Sequence, residues 1–252
     1  YLAYILYGGN VKLMKFILKL LLFIIININL ASSNDLDLSN SLFDEGKFEE
    51  AVNEAKKLNT IESKIFCART LAIYGHFLLE GDEAIDVFMR ARNYAEEALE
   101  INNKNAEAHV EAAHSMGRYS QLIGVVTALK EGFAERIAFH LDEAIKIDPR
   151  NINAQISKGS WHAEIVDKTG FMSNILYGAT SDQARMHYEK ALNLNKNEIG
   201  LLYEVAYGYY LLGKKQDNKK ARSLLLKATE MSALNYIDEL YLTRVKKLLD
   251  EL

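Results

Sequence analysis

The sequence predicts an all-α solenoid of about five antiparallel helix pairs plus a C-terminal capping helix, on three observations. The stretch Leu-Asp-Glu-Ala-Ile-Lys-Ile-Asp-Pro-Arg-Asn, Leu141 to Asn151, recurs with variation at Ala95 to Asn105, Tyr188 to Asn197 and Leu225 to Met231. Aligned on Ala98, Ala144, Ala191 and Ala228, the copies stand 46, 47 and 37 residues apart, a period that marks stacked helical hairpins. The 252 residues also carry a single proline, and Ala, Leu, Lys and Glu abound, which favours helix over sheet.

Ser33 to Leu58 forms a first, divergent hairpin. Leu36, Leu38 and Leu42-Phe43 give its apolar stripe, Gly46 the turn, and Phe48, Ala51, Val52 and Ala55 the second helix. The next pair starts near Ile61 and breaks at Gly81-Asp82. Its second helix runs to Ile101, with Ala84, Phe88, Ala91, Ala95 and Ala98 returning every three or four residues. Asn105, Asn151 and Asn197 then stand 46 residues apart where helix N-caps are needed.

The third pair spans Ala106 to Ile147, with Gly117 and Gly124 bracketing its turn. In the fourth, a helix from Ile152 to about Asp167 leads into a loop, Lys168 to Ala179, and Thr180-Ser181-Asp182-Gln183 forms a capping box for the second helix. That loop carries Phe171, Met172, Ile175, Leu176 and Tyr177, so it is expected to fold onto the solenoid or to touch a ligand or partner. The fifth pair is Ile199 to Leu212 and Lys219 to Met231 about Gly213. A last helix from about Ile237 to Leu252 is the cap that solenoids require.

At the other end, Met14 to Ser33 has a basic start, an apolar run of about eleven residues after Lys19 and small residues at its close, the pattern of a signal peptide. Residues 1–33 are therefore read as a leader cut after Ala31 or Ser33, with Met14 the true start, and 34–252 as the repeat domain. The alternative is an uncleaved membrane anchor using Tyr1 to Leu30, though a spanning helix wants about 20 apolar residues. The chain's charge of −4 becomes −7 once residues 1–33 are removed, which argues against general affinity for nucleic acid or anionic lipid. Cys67, the single cysteine, allows no internal disulfide and no cysteine-based zinc site, and is expected to be a small buried residue.

Ala-Leu-x-Ile/Leu-Asn/Asp-x-x-Asn at the repeat ends, with Gly159, Tyr209, Gly213 and Ala221, resembles the tetratricopeptide repeat (TPR), which implies a right-handed superhelix. The units here are longer than the 34-residue standard. Ala108-His109, Gly159-Ser160-Trp161-His162, the run from Gly132-Phe133 into Asp148-Pro149, and Tyr177-Gly178-Ala179-Thr180-Ser181 resemble the TPR domain of the regulator of microtubule dynamics family and its bacterial relatives. With a leader, the resemblance implies an exported, periplasmic relative to which a microtubule role would not transfer. A second resemblance, to periplasmic TPR components of TRAP transporters, implies delivery of a small ligand.

The sequence has no Gly-x-Ser-x-Gly elbow, phosphate-cradling glycine loop or His-Glu-x-x-His, so catalysis is not expected, and no cofactor is implied. His109 and His114, five apart, diverge by about 140° around a helix and cannot share a metal. Tyr203, Tyr207 and Tyr210 fall on one stripe of a groove-lining helix. By alignment the same stripe holds His114 and Arg118, then Ile156, Ser160 and Ala163. Together with Trp161, these residues are the candidate contacts for a peptide or protein partner, or alternatively for a small amphipathic ligand or lipid. The competing role for the tyrosines is packing against the capping helix, and for Trp161 packing under the loop.

Overall fold

The computed structural model describes residues 36–252, and the expected leader at 1–33 lies outside them. The described chain is helical throughout: α1 (Asp37–Asp44), α2 (Phe48–Ala55), α3 (Ile61–Leu78), α4 (Gly81–Ile101), α5 (Ala106–Leu122), α6 (Val125–Lys130), α7 (Phe133–Ile147), α8 (Ile152–Thr169), α9 (Ser173–Tyr177), α10 (Ser181–Leu194), α11 (Ile199–Leu212), α12 (Lys215–Thr229) and α13 (Tyr236–Glu251). The pairs α1/α2, α3/α4, α5/α7, α8/α10 and α11/α12, followed by α13, are the expected hairpins and cap. Their first helices, α3, α5, α8 and α11, lie side by side on the inner face, while each of α4, α7, α10 and α12 bridges its own first helix to the next one. None of the described helices is long and apolar enough to cross a membrane.

Side-chain caps start the inner helices. Asn105 accepts the Ala108 N–H at 3.0 Å and Asn151 the Ala154 N–H at 2.8 Å, as their spacing predicts. Asn197 does not follow. Glu198 occupies the N-cap of α11 without a side-chain cap bond, and Asn197 instead accepts from Lys227 at 3.4 Å, because α11 begins one residue late relative to its counterparts. Thr180 caps α10 through the Gln183 N–H. Gly117 also departs from expectation: it is interior to α5, and the turn falls at Gly124, whose φ of +83° suits glycine. The Lys168 to Ala179 loop is mostly helical, since α8 continues to Thr169 and a 3₁₀ turn, Gly170–Met172, leads into α9.

Packing between layers relies on aromatic rings seated against glycines. Tyr188, fully buried on α10, fits between α8 and α11: a β-carbon at Gly159 would lie 2.6 Å from its ring and one at Gly208 only 1.8 Å from its hydroxyl. That hydroxyl donates to Ser160 Oγ at 3.3 Å, so the one polar atom of the ring is satisfied in the interior. Phe88 of α4 sits in the same way against Gly75 of α3. The rings thereby fix how closely successive hairpins approach.

The array also closes on itself. Helix α13 packs on α11 and α12, as a cap should, and reaches the opposite end of the chain as well. Arg244 donates to His76 Nε2 at 2.6 Å and to the His76 carbonyl at 2.7 Å, and its guanidinium lies 4.3 Å from the centre of the Phe77 ring. Tyr241 meets Phe77 edge-on at 4.8 Å, and Tyr236 fills the space over Gly46, beside Phe48.

Gly208→Ala is expected to lower the unfolding free energy by about 3 kcal/mol, since its methyl group must displace a buried tyrosine. Urea denaturation monitored by circular dichroism measures this, and an unchanged midpoint would show that Tyr188 can move aside freely.

Candidate functional site

Closure turns the concave face into a partly enclosed chamber of about 510 Å³. Helices α3, α5, α8, α11 and α13 form most of its wall, joined by residues of α7. Phe133, Ile137, Trp161, Ile165 and Leu201 supply apolar surface, and a belt of polar side chains crosses between the helices.

The belt begins with Arg69 on α3, which donates to Glu107 at 2.6 Å and to Glu111 at 2.8 Å on α5. Burial works to raise the Glu111 carboxyl, but Arg69 and His114 together hold it below the ordinary carboxylate range. His114 lies 3.5 Å from Glu111 Oε2 through Nδ1, and its Nε2 is 2.5 Å from Ser157 Oγ on α8. Carboxylate, imidazole and hydroxyl thus stand in the order of a hydrolytic triad. Ser157, however, is interior to α8, where the surrounding N–H groups serve the helix ladder. The three residues form a polar strut joining α5 to α8. Farther round, Arg118 approaches Glu204 of α11 at 3.5 Å, Tyr241 of α13 donates to the same carboxylate at 3.3 Å, and Gln121 and Lys168 hold Glu164 at 2.9 and 3.0 Å. Burial, followed by the charges of Arg118, Arg244 and His114, drives the His76 pKa well below the usual histidine value, which leaves Nε2 free to accept from Arg244.

Of the sequence-selected residues, His114, Arg118, Ser160, Trp161 and Tyr207 all line the chamber. Tyr203 is 8% exposed and packs on Tyr241 of the capping helix at 5.6 Å, and Tyr210 lies tilted against Tyr207 at 6.3 Å, partly buried on the core, so neither lines the chamber. Ala163 is core. Trp161 packs with Leu141, Ala179 and Tyr177 and donates its indole N–H to the Ala134 carbonyl at 3.0 Å, so the inserted segment does cover it, through Tyr177. Three apolar side chains of that segment point away from the solenoid: Phe171, Ile175 and Leu176 are 86, 73 and 56% exposed. Sequence reasoning missed Arg69, His76, Glu204, Tyr241 and Arg244.

The other histidines serve the walls. His109 and His140 face each other, Nδ1 to Nδ1, at 2.9 Å, and His162 stacks on His187, which bonds Gln155 at 2.7 Å. Among the described residues no three potential ligands converge as a metal site would require. Buried Cys67 has its thiol pushed up to about 11 by desolvation, so it is unreactive at neutral pH.

Fold and chamber together define a helical-repeat protein of the TPR class. One solved structure of similar fold is a thermophilic TPR protein of Thermus thermophilus, matched with a TM-score of 0.60 and 17% identity over 86% of this chain and 97% of that one. The model of the family "Regulator of microtubule dynamics protein 1-3" matches residues 35–252, and the chain belongs to that family. It is 29% identical over 156 residues to regulator of microtubule dynamics protein 3 of Bos taurus, an alignment covering 58% of this chain and 32% of the bovine one. The chain thus spans about a third of that relative's length.

Burial lowers His140 and His187 to about 4 and His162 to about 3. Unfolded histidines titrate near 6.5, so below that pH the unfolded chain binds more protons. Stability is therefore expected to fall steadily from about pH 6.5 to about pH 4. Urea midpoints across that window check it, and His187→Gln should make the decline shallower.

Proposed function

We propose that the protein is a non-catalytic binding module that takes a small amphipathic guest into its central chamber. One observation carries the reading: α13 closes on α3, so the concave face is a partly enclosed chamber of about 510 Å³, narrower in access than the groove open along its length that a long peptide or a folded partner needs. Ligand sites generally occupy about 300–1,000 Å³, mostly apolar with a few placed polar groups, and this wall fits that description. The placement of Ser157 inside α8, where the neighbouring N–H groups serve the helix ladder, supports binding over turnover.

A second reading, the protein-interaction scaffold for which TPR arrays are suited, is favoured by a different observation. The exposed Phe171, Ile175 and Leu176 form an apolar tip on the inserted segment, outside the chamber, where a protein partner could dock. Export to a periplasm, with residues 1–33 removed, is also part of the proposal. It is supported by the leader pattern in the sequence, and the alternative is retention of that segment as an anchor. The microtubule role in the family's name has no counterpart among the features of this chamber and is not proposed.

Mass spectrometry of solvent extracts from the purified protein is expected to find a co-purifying amphiphile. Tyr207→Ala, which removes an aromatic wall, should weaken its retention about tenfold. An empty extract together with an unaffected Tyr207→Ala variant would end the chamber reading. For the leader, N-terminal sequencing of the mature protein is expected to begin between Ser32 and Asn34, whereas an intact N-terminus in the membrane fraction would establish the anchor.

A further inference from the structure

The outer layer of the array carries its charge unevenly. Helix α4 has six acidic and two basic residues, for −4, and α12 has five basic and one acidic, for +4, while the outer helices between them, α7 and α10, carry −1 and 0. Internal pairs sharpen the imbalance. Both arginines of α4 are spent within the molecule, Arg90 on Glu49 and Arg92 on Glu96, and the one acid of α12, Asp217, is buried in the grip of Arg185. What remains outward is a stripe of one sign on each helix. On α4, Asp82, Asp86, Met89, Asn93, Glu97 and Glu100 follow one another three or four residues apart and are all exposed, and on α12 Lys215, Lys219, Arg222, Leu226 and Thr229 do the same. Glu97 reaches Lys64, whereas among the described residues no ion pair takes up Asp82, Asp86, Glu100, Lys215, Lys219 or Arg222.

The two stripes also match in register. Laid antiparallel with Met89 over Leu226, 50 and 48% exposed, they set Asn93 opposite Arg222, Glu97 opposite Lys219 and Glu100 opposite Lys215, because intervals of 4, 8 and 11 residues on one helix meet 4, 7 and 11 on the other. An apolar pair is thus followed by two pairs of opposite charge. Helix α4 packs on α3 and α5, and α12 on α11 and α13, so the seam between α3 and α13 separates the stripes within one molecule. They can meet only between two molecules. We propose that the protein self-associates head to tail, with α4 of one copy laid antiparallel against α12 of the next. The contact is independent of what the chamber holds. A stripe of one sign repels its own kind, so α4 on α4 and α12 on α12 are disfavoured and the heterologous pairing is selected. Exposed charge pairs act mainly on encounter and specificity, and one helix from each partner falls short of the about 800 Å² per side of a standard interface, so the complex is weak and salt-sensitive.

Sedimentation of the purified protein tests the contact. Between about 10 μM and about 1 mM protein the weight-average mass is expected to rise with concentration in about 0.01 M salt, where charges are felt over about 30 Å, and to fall to that of the monomer in about 0.5 M salt. Two double variants then reverse one partner each. Lys215→Glu with Lys219→Glu sets acid against acid, Glu97→Lys with Glu100→Lys sets base against base, and either variant alone should stay monomeric at low salt. Mixed in equal amounts they should associate again, because each supplies the sign that the other has lost. Circular dichroism of each variant confirms that it is folded. A protein that is monomeric throughout at low salt, an association that survives either reversal or high salt, or a mixture of the two folded variants that stays monomeric would overturn the proposal.

Discussion

Two hydrogen bonds from Arg244 to His76 join residues 168 positions apart, and the enclosed chamber depends on them. Without that junction α13 would cap α11 and α12 and leave the concave face open. The chemistry of the contact is particular. An arginine cannot give up its proton in a protein, so the imidazole opposite must stay neutral and accept, and burial among other cations keeps it so. Phe77 lies against both Arg244 and Tyr241, so a cation–π contact and an edge-on aromatic pair reinforce the same seam.

Inside the ring, two kinds of contact divide the labour. Aromatic rings against glycines set the distance between hairpins, as Tyr188 does against Gly159 and Gly208. Charged and polar pairs crossing the cavity then set the angle between neighbouring inner helices: Arg69 ties α3 to α5, His114 ties α5 to α8, and Arg118 and Tyr241 draw α5 and α13 toward Glu204 on α11. The belt is therefore part of the framework as well as of the chamber wall. Arg118, with contacts to Gln121 and Glu204 both at 3.5 Å, is its most loosely held member.

How much of this could be read from the sequence follows from what periodicity encodes. Each hairpin is a local object, so the recurring Ala-Leu-x-Ile motif and the asparagine caps locate the helices to within a few residues. The same stripe places His114, Arg118, Ser160 and Tyr207 on the inner wall. One further signal is available: Thr60 caps α3 as Asn105 caps α5, and that register sets Arg69 and Ile73 opposite His114 and Arg118, with His76 opposite Gln121. Carrying the stripe back one repeat finds the basic residues of α3. Closure itself cannot be read in this way, because the curvature that brings α13 to α3 is accumulated from small rotations at every interface and no single motif states it. Tyr203 and Tyr210 depart from the inner wall for a related reason. Helical spacing gives a side, whereas the presence of α13 decides which part of that side faces a neighbour and which faces the cavity.

Closure also bears on how such a chain can change over evolutionary time. An open solenoid lengthens or shortens by whole repeats, because each unit answers only to its neighbours. Here the seat of Tyr236 over Gly46 and the grip of Arg244 on His76 require one particular number of hairpins between them. Duplicating or deleting a unit would carry the two ends past each other. Variation in length is thus confined to insertions within a unit, such as the turn made by Gly170–Met172 and α9, which enlarge the rim and leave the circumference unchanged.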